Sequence, residues 1–465
     1  MVLRHNVVKN EFINEIKGKK LYCYGAGRVF EDFLQVYSML NVNAVIDKAL
    51  SKENIKDTPK GVPVISVDDF LDMYDKDSIL IITCFDYQQV EAELSSYNKL
   101  IDLPCYVYCL IEGTFGIKND NTVTNKYEIA EFKMQDYNAG QKAPADVAII
   151  AVKAGFKLLT VNRGTQRYGS EQTKSEWKRI FEVIPDRATV LVQLPFVDSS
   201  DGVKYLYELK EQKHVNIIAI VHDIDILRGE NEDGNIRQYQ ILKSLADVWI
   251  VHNEYMISEL CNRGFDRKRM VSLEIFDYLI NDFENIKYDE GIVIAGNLDK
   301  EKSKYIYSLN EIKDVKFNLF GANYSYNLPE ENISYYGAFL PDELIHNLRG
   351  KFGLVWDGDS INTCSGAKGE YLRINNPHKL SLYLAIGLPV IIWSEAAEAE
   401  FVLREKVGIA IKSLIDLPYI LADIDDVTYK AMKDNVKLIG TKLRNGYYMK
   451  KAVENAEIIL NDMAE

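Results

Sequence analysis

Short apolar runs recur along this chain, separated by longer stretches in which apolar residues fall at helical spacing. Over the first 112 residues the runs are Leu21–Tyr24, Val42–Asp47, Ile79–Cys84 and Tyr106–Leu110, with helices expected between them at Val29–Leu40 and Asp68–Tyr74. Strands alternating with helices at this interval predict a parallel sheet covered on both faces. Gly113–Asn125 is polar, rich in Gly, Asn and Thr, and aperiodic, as a linker is. The alternation resumes with runs at Ile129–Met134, Lys157–Asn162, Thr189–Leu194, Asn216–His222, Asp247–His252 and Met270–Leu273, and helices such as Ala145–Ala154 and Val203–Glu211. A third series comes at Gly291–Ala295, Val315–Phe320, Ile333–Tyr336, Gly353–Trp356, Leu388–Trp393 and Gly408–Ile411, with a helical tail over Val427–Met463. The pattern predicts an α/β protein: a small N-terminal domain (1–115), a linker (116–126) and two tandem doubly wound domains (127–287 and 288–465). Tandem doubly wound units imply a cleft, with ligands at the C-terminal ends of the strands.

The richest local pattern is Asn375–Trp393, NNPHKLSLYLAIGLPVIIW. Asn376 suits an N-cap and Pro377 the first helical position, where a missing N–H costs nothing. His378 and Lys379 then fall in the first turn, where cations oppose the helix dipole unless an anion lies among them. Gly387 ends the helix, and Leu388–Trp393 reads as a buried parallel strand. A helix N-terminus with a lysine beside it is a ready pyrophosphate site. The same residues also make an ordinary α/β unit with a solvated Lys379.

Other strand ends add to the first of those readings. Gly296-Asn297 follows one strand, with Lys300 expected one helical turn into the next element. Phe320-Gly321-Ala322-Asn323 follows another, and Trp356-Asp357-Gly358-Asp359 a third. Together with Lys379 they offer backbone N–H donors, two lysines and an aromatic side chain, a set that suits a nucleoside diphosphate. In the middle region, Asn138–Pro144 is a flexible loop carrying Gly140 and Lys142 ahead of a helix. His222-Asp223-Ile224-Asp225 follows an apolar strand. A histidine and a carboxylate at a strand end can act as general base or bind sugar hydroxyls, and Asp223 can equally cap the next helix. Asp223-x-Asp225 and Asp357-x-Asp359 also have the form in which hard divalent cations are held, although two acids at alternate positions are common. Near the N-terminus, Gly25-Ala26-Gly27-Arg28 with Asp47 is a dinucleotide fingerprint lacking its third glycine, since position 30 is Phe. Its plainer reading is a tight strand-to-helix turn with Asp47 as a strand-end residue.

Composition narrows the class. The 465 residues include 55 Lys+Arg against 69 Asp+Glu, a net charge of −14. That balance argues against nucleic acid and against broad adhesion to anionic lipid. The six cysteines are scattered without metal-ligand spacing, as buried thiols in a reducing compartment are. No run approaches the roughly 20 apolar residues of a membrane span, and the start lacks an apolar signal core. A cytoplasmic protein is expected, with contact at the inner face of the membrane compatible with this picture.

The stretches HDIDIL (222–227), ADVWIVHNEYMISEL (246–260), IAGNL (294–298), FGLVWDGD (352–359) and NNPHKLSLYLAIGLPVIIW (375–393) resemble the bacterial galactofuranosyltransferase family, which includes the glucosyltransferases that extend glycans on serine-rich-repeat adhesins. The resemblance covers residues from about 127 to the end. It implies two Rossmann-like domains in a GT-B arrangement, a UDP-sugar donor, no metal or other cofactor, and homo-oligomers. It also implies that Lys379, with Asn375, Asn376 and His378, binds the donor diphosphate. Gly296, Asn297 and Lys300 would line the nucleotide site, Phe320, Gly321 and Trp356 would form its walls, and the loop with Gly140 and Lys142 would close over it. Asp223 and His222 are the candidates for catalysis. The first domain resembles Rossmann-like modules found beside bacterial polysaccharide enzymes, through Tyr24–Arg28 and Gly61–Ser66; Gly25, Gly27 and Asp47 would be its accessory nucleotide contacts. The function expected is transfer of a hexosyl unit, galactofuranose first, from UDP to a surface polysaccharide or lipid-linked glycan. The rivals are a UDP-glucose-dependent transferase, and a nucleotide-binding oxidoreductase or sensor acting through residues 1–115.

Overall fold

The computed structural model describes residues 2–5, 15–37, 40–58, 60–84, 87–100, 102–108, 124–132, 142–162, 170–195, 200–229, 233–280, 290–325, 331–339 and 341–464. The chain divides into two compact units, residues 1–134 with 155–185, and residues 135–154 with 186–465. In the first, β1 (Val2–His5), β2 (Lys20–Tyr24), β3 (Val42–Ile46), β4 (Val64–Ile65), β5 (Ser78–Ile82) and β6 (Pro104–Val107) form a parallel sheet in the order β1-β6-β5-β2-β3-β4. Counted from β2, this is the doubly wound order 3-2-1-4-5 with β1 added at the edge. The periodicity does not mark β4, which is two residues long, or β1. Cys23, Phe30, Phe33, Val45 and Ile81 pack in the core of this unit. It also contains the parallel pair β7 (Lys126–Phe132) and β8 (Lys157–Asn162).

In the second unit, β9 (Thr189–Leu194), β10 (Asn216–Val221), β11 (Val248–Val251) and β12 (Met270–Ser272) lie parallel in that order. A further parallel sheet holds β13 (Ile292–Ala295), β14 (Phe317–Phe320), β15 (Ile333–Tyr335), β16 (Phe352–Val355), β17 (Val390–Trp393) and β18 (Gly408–Ile411). Its order is β15-β14-β13-β16-β17-β18, the Rossmann order 3-2-1-4-5-6. β13, β14, β16 and β17 are buried along their whole length, which is why they read as unbroken apolar runs. The order reverses between β13 and β16, so the crevice beyond their C-terminal ends is where this topology places a ligand. The expected helical tail is two helices, Asp426–Arg444 and Tyr447–Ala464. Among the described residues, no helix is long and apolar enough to cross a membrane.

Candidate functional site

The helix His378–Ala385 delivers its N-terminus to that crevice. Its Tyr383 ring lies against β16 at Gly353, where an added Cβ would stand 2.1 Å from Tyr383 Cγ. The Tyr383 hydroxyl accepts from Ala295 N, at the end of β13, at 2.8 Å. One side chain thus ties the helix across both strands of the switch point. The first turn has no side-chain cap, leaving its N–H groups available. Lys379 Nζ donates to Asp357 Oδ1 at 2.8 Å and to Trp356 O at 3.1 Å, so it is held at the end of β16. Asn375 Oδ1 and His378 Nε2 are buried without a hydrogen-bond partner. Buried polar atoms of native proteins are nearly always paired, so two orphans beside an uncapped helix end make this the candidate site for a polar ligand.

Across from this helix end stand the C-terminal ends of β10 and β11. Asn376 N donates to His252 Nδ1 at 2.8 Å, and Asn376 Nδ2 donates to His252 O (2.7 Å) and Glu274 O (3.0 Å). Asn376 Oδ1 accepts from Asn253 Nδ2 at 2.7 Å, while Asn253 Oδ1 caps the helix Glu254–Asn262. The two sheets of this unit are therefore joined by a saturated amide–imidazole network. The Phe276 ring packs on three imidazoles, parallel to His222 at 5.6 Å and edge-on to His252 at 5.1 Å and His378 at 6.1 Å. Burial pushes His222 down to about 4 and His252 to about 3. His378 falls to about 3 through burial, aided by Lys142 and His222, against a hydrogen bond to the Asp277 backbone. All three are neutral at ordinary pH. Asp223 accepts from Arg228 Nη2 at 2.7 Å and from the Tyr371 hydroxyl. Burial raises its carboxyl to about 6, with Arg228 pulling the other way.

Several expectations change here. Asn376 is not the N-cap: its amide is consumed by the network, and Pro377 takes the cap position, one residue later than expected. His378 is no first-turn cation, because burial holds it neutral. Phe320 and Trp356 are not exposed walls. Both are fully buried, Phe320 stacking on Tyr336 at 4.9 Å and Trp356 donating to Ser360 O at 2.9 Å. Apolar rings at the ends of strands in a doubly covered sheet are taken into the core. Lys300 sits in a turn rather than one turn into a helix, with its ammonium 5.9 Å from the centre of the Tyr307 ring. Gly296 and Gly321 do come together: a Cβ on Gly321 would lie 1.7 Å from Gly296 O. Asn297 Oδ1 is engaged by Asp299 N and Asn323 Nδ2. Lys142 opens the helix Lys142–Lys153, bonds Asp146 and Leu279 O, and lies 4.8 Å from the Tyr278 ring; Gly140 lies outside the described residues. Asp223 does not cap the next helix, since the short 3-10 helix Asp225–Arg228 begins after Ile224 without a side-chain cap. In the first unit, Asp47 caps the helix Lys48–Lys52 through Ala49 N and Leu50 N and also accepts from Ala26 N at 2.9 Å. Sequence reasoning passed over Gln193, Phe276 and Arg228. Gln193 alone carried a signal, as a polar residue near the end of an otherwise apolar strand.

Residues 121–275 match the family model described as Glucosyltransferase 3-like, N-terminal domain, and residues 292–456 match the Glucosyltransferase 3-like, C-terminal domain. The chain is 38% identical over 246 residues to Beta-1,6-galactofuranosyltransferase WbbI of Escherichia coli (strain K12), a match covering 51% of this chain and 70% of that protein. It is 25% identical over 242 residues to Glucosyltransferase 3 of Streptococcus gordonii, covering 52% and 70%, and 21% identical over 316 residues to Glucosyltransferase 3 of Streptococcus parasanguinis, covering 66% and 89%.

Proposed function

The chain belongs to the Glucosyltransferase 3-like family and is a glycosyltransferase, and from that premise we propose that it moves a hexosyl unit, galactofuranose, from a UDP-sugar to a surface polysaccharide or lipid-linked glycan without a metal cofactor. The observation that carries the donor assignment is the uncapped N-terminus of His378–Ala385 at the switch point, with Lys379 beside it and two buried polar atoms unmatched. When the glycosidic bond breaks, negative charge accumulates on the departing diphosphate. Lys379 and the oriented N–H groups are placed to stabilise it without reorganising. A metal-free route is supported by the state of the acids: Asp357 is paired with Lys379 and Asp223 with Arg228, so each Asp-x-Asp pair has its first carboxylate already neutralised by a cation. In this reading Asn376 acts indirectly, fixing the backbone that enters the helix. Galactofuranose is favoured over glucose because the galactofuranosyltransferase relative is the more similar one, at 38% against 25% identity.

Calorimetric titration with UDP, UDP-galactofuranose and UDP-glucose, each with and without EDTA, tests the reading. Micromolar UDP binding that EDTA leaves unchanged is expected, with UDP-galactofuranose the tighter sugar nucleotide. Binding that requires added divalent metal, or no binding, overturns it.

A further inference from the structure

We propose that His222 is the catalytic base of the transfer, acting through Nδ1, and that Gln193 is the positioning residue that keeps the proton off that nitrogen; this rests on the transferase reading above. Gln193 has one amide orientation consistent with its partners. Its Nε2 lies 3.1 Å from Pro144 O, which can only accept, so Oε1 must face His222 Nε2, at 2.7 Å. An amide oxygen also only accepts. The imidazole proton therefore sits on Nε2, and the lone pair is on Nδ1.

The ring is fixed in place around that tautomer. Phe276 lies parallel to it at 5.6 Å, and the backbone carbonyl of His222 accepts from His252 Nε2 at 3.0 Å. No described residue bonds Nδ1, and His222 as a residue is half-buried. The other two histidines on Phe276 cannot serve. His252 Nδ1 is taken by Asn376 N, and the free nitrogen of His378 belongs to the helix end assigned to the diphosphate. The Asp223 carboxylate is already engaged, by Arg228 Nη2 at 2.7 Å and by the Tyr371 hydroxyl. Because His222 and His378 both contact the Phe276 ring, the base and the diphosphate-binding helix end lie one ring apart.

In the step itself, Nδ1 removes the proton of an acceptor hydroxyl as its oxygen forms a bond to the anomeric carbon. The bond from that carbon to the β-phosphate oxygen breaks, and its electron pair leaves with UDP. The proton stays on the imidazolium, whose Nε2–H still donates to Gln193, and is then lost to solvent.

The test uses the full chain and measures UDP binding by calorimetry together with UDP release from UDP-galactofuranose, with water or n-octyl glucopyranoside as acceptor. His222→Gln is expected to bind UDP within about twofold of wild type while kcat falls roughly 100- to 10,000-fold. Gln193→Met, which cannot accept from Nε2, is expected to lower kcat about 10- to 100-fold with unchanged KM for the donor, and to populate the Nδ1–H tautomer in long-range 1H–15N spectra of histidine-labelled protein. Gln193→Glu, which still accepts, restores the Nε2–H tautomer and most of the rate. A His222→Gln enzyme that keeps its kcat, or that loses UDP binding as well, overturns the proposal. So does Gln193→Met with an unchanged tautomer, or Asp223→Asn costing more turnover than His222→Gln. A wild-type protein that binds UDP yet releases none from any UDP-sugar removes the transferase reading and this proposal together.

Discussion

The first and last sheets of this chain share one winding order, yet the turns at their switch points are built differently. In the first, Gly25-Ala26-Gly27 leads into the helix Arg28–Val36, and protein groups close the turn. The Asp47 carboxylate accepts from Ala26 N, Ala49 N and Leu50 N at 2.9 to 3.0 Å, and Thr83 Oγ1 donates to Gly25 O at 2.8 Å. The acid expected to meet a ribose is already occupied with backbone. In the last sheet, the corresponding end presents Lys379, an uncapped helix, and buried atoms of Asn375 and His378 with nothing to bond. Winding order marks where a site is feasible, and the unmatched atoms of Asn375 and His378 single out the last sheet as the candidate.

Two substitutions break the comparison on the side of the last sheet. Lys379→Ala removes a flexible cation at the helix end and leaves Asp357 without the lysine it bonds. UDP affinity should fall by about 100-fold, equivalent to some 3 kcal/mol for a charge-assisted contact, with the loss read by calorimetry. Retained affinity would place the diphosphate elsewhere. Gly353→Ala puts a methyl 2.1 Å from Tyr383 Cγ and must push the ring off β16, freeing Ala295 N from its hydroxyl. A loss of about 3 kcal/mol in urea unfolding is expected from overpacking plus the broken bond. A neutral result would mean that Tyr383 does not fix the helix on the sheet.

A smaller effect separates acids from imidazoles within the second unit. Asp277 is buried and accepts from Tyr448 N and Met449 N at the start of the last helix. Burial raises it to about 7. Its folded value lies above the unfolded one, so the stability it contributes is complete at low pH and is lost as pH rises from about 4 to about 7. His252, lowered to about 3 by burial, has the opposite sign: its contribution is present above pH 6.5 and is lost as pH falls. Asp277→Asn should therefore gain on wild type between pH 5 and pH 8, and His252→Gln should gain between pH 7 and pH 5, each by roughly 1–2 kcal/mol. Parallel curves for wild type and both variants in pH-dependent urea titrations would contradict the assignment.

Much of this was legible in the chain. The strands of the last sheet stand out because both faces are covered, so apolar runs mark them within a residue or two. The Asn375–Trp393 segment discloses its helix, its lysine and its strand through local rules. What stayed hidden depends on tertiary partners. Asn376 has the chemistry of a cap, but His252, Asn253 and Glu274 reach it first. His378 reads as a cation until Phe276 and Tyr278 bury it. Phe320 and Trp356 read as ligand walls because an aromatic at a strand end gives no sign of whether it turns inward. Gln193 cannot be read as a tautomer-setting residue before Pro144 is placed on its other side.

The last and smallest effect is expected in the first unit. Gly27 has φ −81°, an ordinary backbone value, and a Cβ built on it meets no protein atom within 4 Å. Gly27→Ala should therefore leave the fold intact, with any change in unfolding free energy within about 0.5 kcal/mol. If the turn held a dinucleotide pyrophosphate, that space would be filled by ligand and the added methyl would exclude it. The substitution thus separates the two readings of this turn without disturbing the protein. On the transferase reading proposed above, UDP-sugar turnover in Gly27→Ala should equal wild type, and NAD(H) titration should give no heat with either protein. Tight NAD(H) binding to wild type that the alanine abolishes would instead show that the first switch point is a working site, and that Asp47 can serve a ribose while it holds Ala26.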